Sequence, residues 1–344
     1  MRLHRDRFGS LYNQLTRGCE LCAMGAKLVL FAGGRCPREC WYCPVSIGRG
    51  GDTAYANERR LRSADDLLAE ASDQGALGTG VTGGEPLLYL DRVEEYVGLL
   101  KSTLGEEHHV HLYTGIAPTS AQLDRLGRVG VDELRLHPPP QVWKRFPRTT
   151  YARSLLWALD AGMDAGVEVP ALRPLPDVEG FLSEHGGFLI LNELEFSESN
   201  APALGRRGYR LRSESPTAAI GSAELGRQVV AQAHCRARFC PSAFKDGAQL
   251  RERFRRTAAR VRRPYERATC DGTLVYGMLR GAGAVEWARA RLPPHMYRLA
   301  GEVDVEVSVA MARRAKRALG KECEASVAER HPVKDGMVVE QTFL

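Results

Sequence analysis

Between residues 27 and 234 the chain alternates six times between a short run of strand character and a stretch of helical spacing. The strand-like runs fall at 27–32, 77–86, 109–115, 132–138, 166–172 and 187–196. The helical stretches begin near Ser63 and then cover 91–104, 118–130, 151–163, 181–187 and 222–234. In 91–104, for example, apolar residues recur at Val93, Val97 and Leu100, the spacing of a single helix face. Such alternation demands parallel strands joined by helical crossovers, because parallel neighbours cannot be linked by a tight turn. It predicts an α/β fold, a partial (β/α)6 TIM-type barrel, with a doubly wound open sheet as the alternative. In both architectures the reactive groups gather at the C-terminal ends of the strands.

The unusual residues of this chain fall at those ends. Cys36, Cys40 and Cys43 follow the first strand in GGRCPRECWYCPVS, and Gly83, Gly84, Glu85 and Pro86 close the second. Thr114 ends the third, Arg135 and His137 the fourth, and Glu193 and Glu195 the sixth. Arg135 and His137 are two apart and share a strand face, as do Glu193 and Glu195. Two inward carboxylates are costly to bury unpaired. They are candidate catalytic groups, with an ion pair to Arg135 or Arg173 as the structural alternative.

Three thiolates within eight positions form a metal-ligand pattern one donor short of a closed tetrahedral site. Cysteine thiolates are the usual ligands of iron–sulfur clusters, and three of them on a cubane leave one iron free. A zinc knuckle completed by a distant Cys or His is the alternative from spacing alone. Taken together, CPRECWYC and the TGGEP at 82–86 resemble the radical S-adenosylmethionine (radical SAM) superfamily, over roughly residues 27–235. The narrower likeness is to archaeal proteins related to pyruvate formate-lyase activating enzyme.

The resemblance implies a [4Fe–4S] cluster on Cys36, Cys40 and Cys43, with S-adenosylmethionine chelating the free iron. Reductive cleavage would yield a 5′-deoxyadenosyl radical that abstracts a substrate hydrogen. It assigns Tyr42 to the adenine and Gly83–Pro86 to the methionine amino group. Thr114 takes a ribose or carboxylate contact, and Arg135 and His137 the cofactor carboxylate or the substrate. An electron donor of ferredoxin or flavodoxin type is implied as well.

Four further cysteines come in two pairs, Cys19 with Cys22 and Cys235 with Cys240. They flank the barrel in sequence, so they are expected to meet as a four-cysteine site for zinc or a second [4Fe–4S] cluster, with His234 as substitute ligand. Small buried thiols are the alternative.

The expected organisation is an N-terminal segment 1–26, a barrel 27–235 and a basic α+β subdomain 236–344. The net charge is +6 with a pI near 8.9. Residues 245–267 hold nine basic and three acidic residues, with Phe254 and Tyr265 interleaved. Such a segment suits RNA phosphates and bases, so tRNA stands beside a protein or peptide as expected substrate. A non-catalytic, metal-stabilised RNA-binding protein is the reading from another class. No apolar run reaches the roughly 20 residues that span a bilayer, and the N-terminus lacks a signal-peptide apolar region. A cytoplasmic protein without membrane contact is expected.

Overall fold

The computed structural model describes residues 2–213, 217–281 and 283–344. The chain divides into two compact units, residues 1–72 with 76–250, and residues 73–75 with 251–344.

The first unit holds seven parallel strands in sequential order: β1 (Lys27–Phe31), β2 (Gly78–Thr82), β3 (His109–Thr114), β4 (Glu133–Leu136), β5 (Asp164–Pro170), β6 (Phe188–Asn192) and β7 (Arg236–Cys240). A helix α1 (Arg17–Ala23) precedes them. The crossovers carry α2 (Ala64–Gln74), α3 (Leu90–Leu104), α4 (Ser120–Arg128), α5 (Thr150–Asp160), α6 (Pro176–His185), and finally α7 (Ala201–Arg206) with α8 (Ser222–Gln232). Six βα units are therefore present, as the alternation requires, and a seventh strand follows them. From the sequence, residues 235–240 are expected only as a cysteine half-site. The charged RARFC nonetheless pairs in register with β6 from Phe188↔Arg236 to Asn192↔Cys240.

β1 and β7 do not pair, so the sheet stays open. Its edges are covered instead by antiparallel ribbons. Leu11–Tyr12 lies against β7 and Tyr55–Ala56 against β1. Covering both edges removes the free strand-pairing groups that invite association.

Alternation within each strand divides the unit into two environments. Leu28 and Leu30, Val110 and Leu112, Leu134 and Leu136, Leu189 and Leu191, and Ala237 and Phe239 face the helices and form the main hydrophobic core. The residues between them face the barrel interior, which is polar: Lys27, His111, Arg135, Glu168, Asn192 and Arg238. Phe239 packs against Gly226 of α8, where a side chain would run into the ring.

Interior charges are paired in depth. Glu133 is fully buried and bonds Arg135 Nε through Oε1 at 2.6 Å. Its carboxylate also accepts from Gly18 N at 3.0 Å and Thr16 Oγ1 at 3.2 Å, which ties the start of α1 to β4. Arg135 also pairs with Glu168 Oε2 at 2.7 Å.

The second unit is an antiparallel sheet in the order Arg298–Leu299, Asp304–Val307, Leu274–Arg280, Glu324–Arg330, Val338–Phe343. Helices Ala284–Arg291 and Val309–Leu319 pack on it around Leu279, Trp287, Val305 and Ala312. Ser308 caps the second helix, its side chain accepting from Met311 N.

Removing one member of a buried ion pair strands the other and costs roughly 3–5 kcal/mol. Glu133→Ala is therefore expected to lower the stability of the first unit by about that amount, read as a drop in the urea midpoint at constant slope. A loss under ~1 kcal/mol would show that Glu168 alone compensates Arg135.

Candidate active site

At the C-terminal mouth of the strands lies a cavity of about 560 Å³. Its wall includes Cys36, Cys40, Tyr42, Cys43, Gly83, Gly84, His137, Glu193 and Glu195. Residues from four separate strand ends thus meet at one place.

The loop carrying the cysteines is held by backbone contact with the loop after β2. Gly84 N donates to Gly33 O at 2.8 Å, Glu85 N to Arg35 O at 2.9 Å, and Ala32 N to Thr82 O at 2.8 Å. A Cβ on Gly83 would lie 2.6 Å from Gly33 O, and one on Gly84 would collide with the carbonyls of Gly34 and Arg35. Only glycine admits so close a crossing. Pro86 then opens a short 3-10 turn, Pro86–Tyr89, and the Tyr89 hydroxyl accepts from Arg35 N at 3.0 Å while donating to Asp52 at 2.9 Å.

Glu85 does not border the cavity. It is fully buried and accepts from Leu87 N at 3.0 Å, Thr114 Oγ1 at 2.7 Å and Gly115 N at 2.8 Å. Burial pushes its carboxyl upward, and those donors pull it back down. Glu85 and Thr114 therefore lock the β2 loop to the end of β3 from behind. Pro86 likewise stands outside the cavity wall.

Tyr42 is buried beside His137, its hydroxyl 2.9 Å from Nε2. The Glu168 carbonyl, which can only accept, lies 2.8 Å from Nδ1. That assigns the ring proton to Nδ1 and makes Nε2 the acceptor of the Tyr42 hydroxyl. The Tyr113 hydroxyl also touches Nδ1. Burial lowers the His137 pKa to about 4, so the ring is neutral at pH 7. The cysteine loop is braced from the β6 side, where Asn200 Nδ2 donates to Tyr42 O at 3.1 Å and Ser199 Oγ to Cys43 O at 3.2 Å.

The two carboxylates after β6 take partners other than Arg135 or Arg173. Glu193 is buried and its Oε2 accepts from Ser242 N at 2.8 Å and Ser242 Oγ at 3.0 Å. Its Oε1 has no hydrogen-bond partner, with Arg212 Nη1 at 3.4 Å. Glu195 pairs with Lys245 Nζ at 3.0 Å. Lys245 carries no sequence motif and was not foreseen. Its only signal is the place of KDG just beyond the last strand.

Arg135 does not reach this cavity. It points into the inner barrel, bordering a second cavity with Cys19, Cys22 and Cys240. Cys235 is not among them. It is five residues from Cys240, roughly 16 Å along a strand and on the opposite face, and it packs in the core shared with α8. His234 is bound through its backbone N to Glu179 at 2.6 Å.

Among the described residues, no three His, Cys, Asp or Glu side chains are gathered at metal-binding distance. The donor set on the cysteine loop still suits a cluster. Three thiols on one loop border one cavity, with Cys36 and Cys43 exposed and Cys40 half-buried. No helix among the described residues is long and apolar enough to cross a membrane.

Residues 30–167 match the model of the radical SAM superfamily. The chain is also 35% identical over 280 residues to a protein of Methanocaldococcus jannaschii, a match covering 78% of this chain and 74% of the relative. The chain belongs to the radical SAM superfamily and is a radical SAM enzyme, of the kind that uses a [4Fe–4S] cluster and S-adenosylmethionine and draws an electron from a reductant. The M. jannaschii relative is provisionally named a glycyl-radical enzyme activating enzyme. Among solved structures, Streptococcus suis SuiB bound to S-adenosylmethionine is 13% identical with a TM-score of 0.41, covering 68% of this chain and 53% of that one. Spore photoproduct lyase, complexed with dinucleoside spore photoproduct, is 16% identical with a TM-score of 0.40, covering 61% and 74% respectively.

Gly84→Ala is expected to cost about 1–3 kcal/mol, since two carbonyls must move to admit the methyl. Gly180→Ala, at an exposed α6 position with open space around it, is expected to stabilise by about 0.5–1 kcal/mol. Paired thermal melts check both. His108, His109 and His137 are each lowered to about 4 by burial. The unfolded chain takes up their protons near pH 6.5 and the folded chain only near 4. Stability is thus expected to fall as pH drops from 6.5 towards 4, by up to ~1.4 kcal/mol per pH unit for each histidine. Urea midpoints across that range measure it.

Proposed function

We propose that this chain is an activating-type radical SAM enzyme acting on a protein or peptide, with Cys36, Cys40 and Cys43 as the cluster ligands. The observation that carries this reading is the convergence of those thiols, Gly83–Gly84 and the Glu193–Glu195–Lys245 group on one cavity. The activating-enzyme name of the relative supports the substrate class. Cys36, Cys40 and Cys43 would hold a [4Fe–4S] cluster, whose chemistry would be the one-electron reductive cleavage of S-adenosylmethionine.

The protein's own part is to hold and shield. Gly83 and Gly84 present backbone to the cavity without side-chain bulk, and Glu85 with Thr114 keeps that backbone in place. Tyr42 and neutral His137 form an uncharged wall suited to an adenine. Glu193 Oε1, buried, without a hydrogen-bond partner and 3.4 Å from Arg212 Nη1, offers an acceptor to an ammonium or a peptide N–H. The Glu195–Lys245 pair leaves the far wall polar without net charge. The electron donor is a small acidic protein of ferredoxin or flavodoxin type, matched to a chain of net charge +6.

The contacts of residues 245–267 disfavour tRNA as the substrate. Lys245, Arg251, Arg255 and Arg263 are each paired with a carboxylate. Tyr265 is buried on Glu306, and Phe254 packs at a tilt against the His331 ring. Four of the nine cations and both rings of the segment are thus engaged within the fold.

The anaerobically reconstituted, dithionite-reduced protein is expected to form 5′-deoxyadenosine from S-adenosylmethionine, and Cys36→Ala, Cys40→Ala and Cys43→Ala to abolish it. Glu193→Gln is expected to raise the KM for S-adenosylmethionine or substrate roughly 10- to 100-fold, the worth of one charge-assisted hydrogen bond. Protein extract of the source organism should accelerate 5′-deoxyadenosine release, with the effect destroyed by protease and not by ribonuclease. Loss to ribonuclease alone would overturn the substrate class.

A further inference from the structure

The second cavity, about 270 Å³, lies inside the barrel. Thr82, Tyr113, Asn192 and Lys245 border both cavities, so the inner one adjoins the outer. Three thiols line it. Cys19 and Cys22 sit three apart on α1, hence on one helix side. Cys240 ends β7 on the same face as Arg238, two residues before it.

Arg238 sets this cavity apart from an ordinary polar interior. Arg135 has Glu133 and Glu168, Lys245 has Glu195, and Lys27 has the ring nitrogens of His109 and His111. Arg238 is 3% exposed and, among the described residues, makes no ion pair with a carboxylate. Its Nε lacks a hydrogen-bond partner, Nη1 reaches the Cys19 carbonyl at 3.4 Å, and the guanidinium lies 4.4 Å from the Phe244 ring centre. Cys19, Cys22 and Cys240 line the same cavity as this guanidinium. A guanidinium cannot shed its proton, and an uncompensated buried charge is expensive. As neutral thiols these cysteines provide no counter-charge. Bound to a soft cation they become thiolates, because a ligating sulfur is deprotonated by the metal. Three thiolates around a dicationic centre carry one net negative charge, the complement of one arginine.

We propose that Cys19, Cys22 and Cys240 form a second, three-thiolate metal centre inside the barrel, with Arg238 as its buried counter-ion and Cys235 outside it. The chemistry is that of a thiophilic dicationic centre, supplied by a zinc ion or by a [4Fe–4S]2+ cluster. Binding of zinc, or assembly of the cluster from two ferrous ions, two ferric ions and four sulfides, draws the three cysteine sulfurs together and releases their protons to solvent, with no change of oxidation state. This inference is independent of the activity assigned to the outer cavity.

The test uses the full chain carrying Cys36→Ala, Cys40→Ala and Cys43→Ala together, so that only the inner site is counted. After anaerobic incubation with zinc, or with iron and sulfide, it should retain about one zinc or roughly four irons per chain. Adding Cys22→Ala and Cys240→Ala should lower that at least tenfold, whereas adding Cys235→Ala should not. Arg238→Gln should weaken metal retention against a competing chelator. A folded triple variant that holds neither metal, or metal that survives loss of Cys19, Cys22 and Cys240, overturns the proposal. Should the added variants not fold, alkylation of the unmodified chain decides. Zinc should protect Cys19, Cys22 and Cys240 from iodoacetamide and leave exposed Cys270 reactive; equal labelling with and without zinc contradicts the site.

Discussion

Everything at the mouth of this barrel depends on two backbones crossing in direct contact. Gly83 and Gly84, at the end of β2, lie under Gly33, Gly34 and Arg35, which lead out of β1 into the three cysteines. No side chain can be inserted there without moving a carbonyl. The crossing fixes where the cysteine loop starts, and Glu85 then fixes the crossing to β3 through Thr114 and Gly115. The glycines thus serve packing as well as access, and Glu85 acts from behind the wall instead of at the cavity surface. A loop of thiols would otherwise be free to wander; here its near end is bonded to β2 and Tyr89, and its far end to Asn200 and Ser199.

The second constraint is the division of every strand into an apolar outer face and a polar inner one. Stability comes from the outer face, where leucines, valines and alanines meet the helices. The inner face can therefore carry lysine, arginine, glutamate and histidine, provided the charges balance. They balance pairwise nearly throughout, with Arg135 shared between Glu133 and Glu168 and Lys245 held by Glu195. Neutral histidines occupy the remaining places because burial lowers their pKa values. Two buried cations of the inner face have no carboxylate ion pair among the described residues: Lys27, whose Nζ lies 2.7 Å from His111 Nδ1, and Arg238, which faces sulfur.

Much of this was legible in the sequence. The six βα units show because strand alternation and helix spacing differ in period, and their reactive ends show because glycine, cysteine and glutamate cluster where the period breaks. β7 was missed because its inner face is arginine. Ala237 and Phe239 alternate with Arg236 and Arg238 as Val110 and Leu112 alternate with His109 and His111, so the same period was there to be counted. The expectation that Cys235 and Cys240 act together failed on that same parity, since five residues along a strand reverse the face. Arg135 had its partner Glu133 two residues away on the same strand face, but its pairing with Glu168 and those of Glu193 and Glu195 were not legible, because partners 33 to 50 residues away leave no local pattern. The basic run at 245–267 looked like a free surface for the same reason.

The central claim is that three thiolates at the strand ends leave one iron open to S-adenosylmethionine in the outer cavity. The most direct measurement is the low-temperature electron paramagnetic resonance spectrum of the reduced, reconstituted protein, recorded with and without S-adenosylmethionine. The account predicts a reduced-cluster signal whose g-values shift when S-adenosylmethionine is added and which vanishes in Cys40→Ala. A cluster signal that S-adenosylmethionine leaves unchanged would contradict it.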